Sequence, residues 1–157
     1  MGKKIVAYDV TLRDGTQGEG VSFSVEDKIR VAHKIDELGV GYIEGGWPGS
    51  NERDESFFNQ VKNEKFENAI ISAFGSTRRF NSNCDNDSNI QALLKAETKA
   101  ITIVGKTWDF HVKTALKIKN DQNLELIGDS IDYLSERTDE FLFDAEHFFD
   151  GFKNNDE

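Results

Sequence analysis

Polar and charged residues follow each of five short apolar runs in this 157-residue chain. These strand-end residues are Arg13 and Asp14, Glu44, Ser72 with Arg78 and Arg79, Lys106 with Thr107, and Glu146 with His147. A cation beside a carboxylate at the carboxyl end of a strand is typical of the site of a parallel α/β protein. Because unpaired charges are costly to bury together, the cluster indicates a site that pairs them or binds metal.

Simpler interpretations of the same residues stay open at this point. Arg13 and Asp14 could form a salt-bridged turn, and Glu44 and Glu146 could be solvated strand ends. His147 is open in the same way, because it directly follows Glu146.

The elements that would carry these residues alternate along the chain. Strands are predicted at 5–10, 40–44, 69–74, 100–104 and 140–144, and helices at 24–38, 52–62, 89–96 and 124–135. Ser24 and Asp27 predict a capping box at the first helix. A repeat of roughly 30 residues is typical of βαβ units, whose parallel strands bring their carboxyl ends to one edge. The last strand is predicted to lack a complete partner helix, because residues 151–157 end where that helix should begin. The pattern alone does not choose between a barrel and a doubly wound sheet.

Composition predicts one globular, cytoplasmic domain, with 37% hydrophobic residues and a net charge of −10. Cys84 is the single cysteine, so an internal disulfide and a cysteine zinc site are excluded. We expect no signal peptide and no membrane span, because no apolar stretch is long enough. The acidic balance argues against nucleic acid as a partner but leaves a small anionic ligand possible.

Five motifs carry a resemblance to a known family. They are DVTLRDGTQGEGVSFSVEDK (9–28), LGVGYIEGGWPGSN (38–51), SAFGSTRR (72–79), VGKTWDFHV (104–112) and FDAEHFFDGFK (143–153). Together they resemble the N-terminal half of the citramalate synthases. These belong to a group that includes 2-isopropylmalate synthase, homocitrate synthase and hydroxymethylglutaryl-CoA lyase. The LRDG element is shared by the group, whereas YIEGGWPGSN, SAFGSTRR and FDAEHFFDG favour the citramalate branch.

The resemblance implies a partial (β/α)8 TIM barrel, with the first five βα units of eight. Residues 1–157 would be the N-terminal part of a catalytic domain, and the last strands, a His-x-His pair of metal ligands and a C-terminal regulatory domain would lie beyond it. It implies that Asp14 binds a divalent metal, with Gln17 nearby in the first loop. Arg13 and Glu146 would be catalytic, and Arg13, Gln17, Glu44 and Glu146 would bind substrate.

The implied activity is an acyl transfer in isoleucine biosynthesis that joins acetyl-CoA and pyruvate to give citramalate and CoA. It would need Zn, Mn or Mg, and the full-length protein would be a homodimer. The general base and the groups that meet the CoA phosphates are left open. One alternative is a 2-isopropylmalate or homocitrate synthase, or a related lyase. Another, of a different class, is a catalytically silent fragment that self-associates through open strand edges and an uncovered apolar sheet face.

Overall fold

Five parallel strands follow one another in a single sheet in this computed structural model, which describes residues 5–155. The strands are β1 (Tyr8–Asp9), β2 (Tyr42–Gly46), β3 (Ile70–Ser76), β4 (Ala100–Lys106) and β5 (Glu140–Glu146). Each pairs with the next in sequence, which confirms the predicted βαβ repeat. β1 is shorter than the predicted 5–10, because only two of its residues pair with β2.

Within residues 5–155, six α-helices accompany the sheet: α1 (Val25–Glu37), α2 (Glu52–Val61), α3 (Ser88–Lys95), α4 (Asp109–His111), α5 (Asn120–Ser135) and α6 (Phe148–Asn154). The capping box predicted at α1 is present, since Ser24 Oγ accepts from the Asp27 amide at 3.1 Å and Asp27 Oδ2 accepts from the Ser24 amide at 3.1 Å. The helix that follows β5 is short, with seven residues, and it begins before the expected start at residue 151, because His147 takes a positive φ of 59° and turns the chain directly into α6.

Helices α1, α2, α3 and α5 cover one face of the sheet. Side chains alternate along a strand, so Ile43, Ala73, Ile101 and Ile103 share the face that packs on Phe57. A doubly wound sheet would bury both faces under helices and would reverse its strand order at a switch point. The consecutive order β1 to β5 and the single helix layer instead match a barrel wall.

The opposite face is concave. In a flat sheet β1 and β4 would lie about 14 Å apart, three strand spacings, yet Tyr8 Oη lies 2.8 Å from Thr102 Oγ1. Tyr42 on β2 likewise donates to Glu140 on β5. The sheet must curl for these contacts to form, and the prediction of a partial (β/α)8 barrel is confirmed as a half-barrel of five strands.

The concave face is mainly polar, which corrects the expectation of an apolar sheet face. The apolar runs include polar residues at alternate positions. Among them are Ser72 and Thr102, whose hydroxyl oxygens lie 2.8 Å apart. Glu44, Glu140 and Asp144 share this face by strand alternation. None of the helices within residues 5–155 is both long and apolar enough to cross a bilayer.

Candidate active site

Arg13 and Glu44 form the centre of the site at the carboxyl ends of β1 and β2. Arg13 Nε donates to Glu44 Oε1 at 2.5 Å, and Arg13 Nη1 donates to Asp14 Oδ1 at 3.1 Å. The guanidinium also lies over the ring of Phe74, with Cζ 4.0 Å from the ring centroid. These three contacts fix two donors and the plane of the guanidinium. Within residues 5–155, Nη2 of Arg13 donates to no protein group.

Glu44 is closed off from solvent and supports its neighbours. It is 1% exposed, and its second oxygen, Oε2, accepts from Tyr8 Oη at 2.7 Å. Burial raises the pKa of Glu44, while the hydrogen bonds from Tyr8 and Arg13 act in the opposite direction. Burial, reinforced by the nearby Glu44 charge, also raises the pKa of Tyr8. Glu44 therefore holds Arg13 in place with both of its oxygens engaged.

Asp14 and Gln17 lie on the exposed loop that follows β1. The Asp14 side chain is 59% exposed, and one of its oxygens is free of hydrogen bonds in the described part of the chain. Gln17 is exposed at the end of a short turn of 3₁₀ helix, Gly15–Gln17. Asp14 can thus offer one hard oxygen ligand to a divalent ion. Across residues 5–155, no group of three or more His, Cys, Asp or Glu side chains could hold a metal ion.

Glu146 shares a cleft with Arg13, although the two come from strands at opposite ends of the sheet. The cleft has a volume of about 330 Å³, and its lining includes Arg13, Trp47, Phe74, Lys106, Asp144 and Glu146. Lys106 and Glu146 are paired in register on β4 and β5 and form an ion pair. The structure therefore brings Arg13, Asp14, Glu44 and Glu146 to one rim, with Gln17 on the adjoining loop.

Several residues of this site were not singled out from sequence. Tyr8 holds Glu44 and contacts Thr102 across the concave face, and Phe74 and Asp144 line the cleft. The available signal was strand alternation, which places Phe74 and Thr102 on the same face as Glu44. That signal was masked because both residues sit inside runs that read as continuously apolar.

Two other candidates take different roles. Arg78 is buried, donates to Asp129 Oδ2 at 2.9 and 2.6 Å and to the Ser82 carbonyl at 3.0 Å, and so ties a loop to α5. His147 pairs with Asp150 at 3.0 Å, and its ring meets that of His111 edge-on at 4.5 Å. The two histidines lie beside the cleft rather than at Arg13.

Consecutive parallel strands, one helix layer and a charged rim at the strand ends define the class as a (β/α) barrel with its site at the carboxyl end. The comparisons agree: the profile of the HMGL-like family matches residues 4–154, and the chain belongs to this family.

Known relatives refine this assignment. The chain is 60% identical over 148 residues to an (R)-citramalate synthase from Geobacter sulfurreducens, covering 94% of this chain and 28% of that protein. It is 54% identical over 157 residues to an (R)-citramalate synthase from Aquifex aeolicus, covering 100% and 30%. Homocitrate and 2-isopropylmalate synthases match at lower identity, 32 and 34%.

A solved structure supports the fold alone. Hydroxymethylglutaryl-CoA lyase from Pseudomonas aeruginosa superposes with a TM-score of 0.67 at 18% identity, covering 90% of this chain and 45% of that one. The chain spans just under a third of the length of the two citramalate synthases.

Proposed function

We propose that this chain supplies the first five βα units of a citramalate synthase, an acyltransferase that condenses acetyl-CoA with pyruvate on the route to isoleucine. The observation that carries the proposal is the placement of Arg13, which is held by Glu44 and Phe74 and lines the cleft shared with Glu146. The 60% identity to the Geobacter enzyme favours this branch over the homocitrate and 2-isopropylmalate synthases.

Arg13 suits the recognition of a 2-oxo acid. Its Nη2 is free of protein partners in the described chain, its Nε is held by a buried carboxylate, and the residue lines the cleft. A fixed guanidinium can bind the keto oxygen or carboxylate of the acid and stabilise the alkoxide that forms when its carbonyl is attacked. Lys106 and Glu146 provide a second pair of charges at the far wall of the same cleft.

The reaction joins the methyl carbon of acetyl-CoA to the keto carbon of pyruvate. A base removes a methyl proton, the resulting enolate attacks, and water then cleaves the thioester to release CoA. We assign no residue as this base. In this scheme Glu146 contacts substrate and Gln17 borders it from the first loop.

Asp14 fits one position of a divalent metal site, since its exposed carboxylate has a free oxygen. Residues 5–155 contain no complete set of metal ligands, so the other ligands would have to come from outside this range. When bound, zinc, manganese or magnesium would polarise the keto group as a Lewis acid. We propose no step that relies on residues 5–155 alone to hold the ion.

The proposal is tested with a chimaera in which residues 1–155 of this chain are followed by the unmatched remainder of the Geobacter enzyme. CoA release is measured with acetyl-CoA and pyruvate, 2-oxoisovalerate or 2-oxoglutarate, and the intact Geobacter enzyme serves as control. We expect pyruvate to react fastest. If pyruvate were the slowest acceptor, or if the chimaera cleaved a 3-hydroxyacyl-CoA instead, the assignment to citramalate synthesis would be wrong.

A second candidate is a catalytically silent chain that self-associates. The observation in its favour is that β1 and β5, within residues 5–155, each pair on one side only, and β5 offers a seven-residue edge. Light scattering of the 157-residue chain tests this idea, and an inactive oligomer is the expected result. A homodimer of the complete protein remains a separate proposal, tested by sedimentation of the chimaera.

A further inference from the structure

Trp47 is fixed at both of its ends just after β2. Its backbone amide donates to Asp54 Oδ2 at 2.9 Å, and its indole Nε1 donates to Asn89 Oδ1 at 2.7 Å. The first bond joins Trp47 to α2 and the second joins it to α3. A tryptophan held at its backbone amide and at its indole nitrogen has little freedom to change rotamer.

Each anchor is itself held by a close contact. Asp54 Oδ1 accepts from Lys28 Nζ at 2.7 Å, and Lys28 is 1% exposed. Asn89 uses its amide nitrogen to donate to the carbonyl of Ser76 at 2.6 Å, at the end of β3. The anchors therefore tie Trp47 to the framework of helices and strands.

Two glycines make this arrangement possible. Gly46 has a φ of 150°, and a Cβ there would lie 2.7 Å from Asp54 Cγ. At Gly75 a Cβ would lie 2.9 Å from the Asn89 oxygen that accepts from Trp47. Both contacts are shorter than a side-chain carbon tolerates, so glycine at these positions lets the two anchors approach.

The ring of Trp47 meets the ring of Phe74 edge-to-face, with centroids 5.6 Å apart and planes at 80°. Phe74 is 4% exposed, and Arg13 Cζ lies 4.0 Å from its ring centroid. Edge-to-face aromatic contacts and cation–π contacts both depend on orientation. The orientation of Phe74, set by Trp47, therefore determines the plane in which the guanidinium can lie.

We propose that Trp47 is a positioning residue for Arg13 and acts through Phe74. The role of Arg13 in catalysis rests on the proposed function, whereas the mechanical link between the two residues does not. Glu44 and Asp14 fix two donors of the guanidinium, and Trp47 with Phe74 fixes its plane. The orientation of Nη2 of Arg13, which has no protein partner within residues 5–155, is thereby fixed.

The link is tested in the 157-residue chain by NMR of the arginine side-chain Nε–H groups. The Arg13 signal is assigned by its loss in Arg13→Lys. Arg78 Nε–H, which donates to Asp129 at 2.9 Å, is an internal reference in every sample. Trp47→Leu removes the aromatic edge, Trp47→Phe keeps a ring but removes the bond to Asn89, and Phe66→Leu alters a different aromatic that packs on the core.

In Trp47→Leu we expect exchange of Arg13 Nε–H with water to accelerate about tenfold, with the Arg78 signal unchanged. Trp47→Phe should show an intermediate effect, and Phe66→Leu should show none. If Trp47→Leu also lost the Arg78 signal through unfolding, Trp47→Phe would decide the outcome. Unchanged Arg13 exchange in the folded Trp47 variants would overturn the proposal, whatever turnover the chimaera shows.

Discussion

Arg13 Nε and Glu44 Oε1 lie 2.5 Å apart and join the carboxyl ends of the first two strands. Glu44 is almost completely buried, and its other oxygen accepts from Tyr8. Glu44 therefore has a structural role as well as its proposed role in the site. Its carboxylate positions Arg13 and also links the first two strands of the half-barrel.

Glu44→Gln should destabilise the chain by about 2–3 kcal/mol, because it removes the buried charge partner of Arg13 and leaves only the exposed Asp14. Urea unfolding followed by circular dichroism measures the loss. Glu37→Gln, at an exposed ion pair of α1, is the matched control and should change stability by less than about 0.5 kcal/mol. Equal stability of the Glu44 variant and the wild type would show that the buried pair contributes nothing.

Asp87→Asn should remove a pH-dependent part of the stability. Asp87 is buried and accepts from the Arg79, Asn89 and Ile90 amides and from Ser82 Oγ, at 2.7 to 3.1 Å. Burial raises its pKa, but these hydrogen bonds outweigh burial and lower the pKa below its ordinary value of 3.8. A lowered folded-state pKa gives stability that is present above the unfolded value and is lost as pH falls through the folded one.

The difference in unfolding free energy between wild type and Asp87→Asn should therefore be about 2 kcal/mol near neutral pH and should shrink as the pH falls below 4. Urea titrations across this range measure it. Asp85→Asn, in the same loop, is the control and should not show this pH-dependent difference in unfolding free energy. A difference that stayed constant down to the lowest pH would rule out the ionised carboxylate as the cause.

Lys28→Met should cost about 2–4 kcal/mol, because it leaves the carboxylate of Asp54 without its cation in a buried position. Burial lowers the pKa of Lys28, while its bond to Asp54 raises it. Thermal unfolding is a suitable readout, and Lys34→Met, at an exposed site of the same helix, is the control. If Lys28→Met unfolded at the same temperature as Lys34→Met, the ion pair between Lys28 and Asp54 would contribute nothing to stability.

Metal binding by the chain alone should be weak, with a dissociation constant on the order of millimolar, because Asp14 supplies one ligand where catalytic sites use about three. Calorimetric titration with manganese and zinc measures the affinity. Asp14→Asn should abolish this weak binding, whereas Asp9→Asn should leave it. Tight, stoichiometric binding by a monomer would mean that the 157-residue chain itself holds a complete site.

Much of the fold follows from spacing. The apolar runs, the Ser24 capping box and the glycines after each strand predict the strands and helices in order. The curvature does not follow in this way, because it depends on contacts such as Tyr8 with Thr102, which are 94 residues apart. The start of α6 was missed because it depends on a positive φ at His147, a conformation that sequence does not prescribe for histidine.

The site was partly predictable for the same reasons. The ends of parallel strands converge, so Arg13, Asp14, Glu44 and Glu146 could be placed at one rim from their positions alone. The second oxygen of Glu44 accepts a hydrogen bond from the hydroxyl of Tyr8. We expect this bond to depend on the curvature of the sheet, which the sequence does not reveal. The same curl brings Arg13 and Glu146 into one cleft.

The role of Arg13 is tested most directly by the turnover of pyruvate and acetyl-CoA by the chimaera carrying Arg13→Lys. Lysine keeps the positive charge but cannot present the planar pair of donors or pack flat on Phe74. We expect kcat to fall at least about 100-fold while the chimaera stays folded. A chimaera with Arg13→Lys that formed citramalate as fast as its parent would contradict the central role of Arg13.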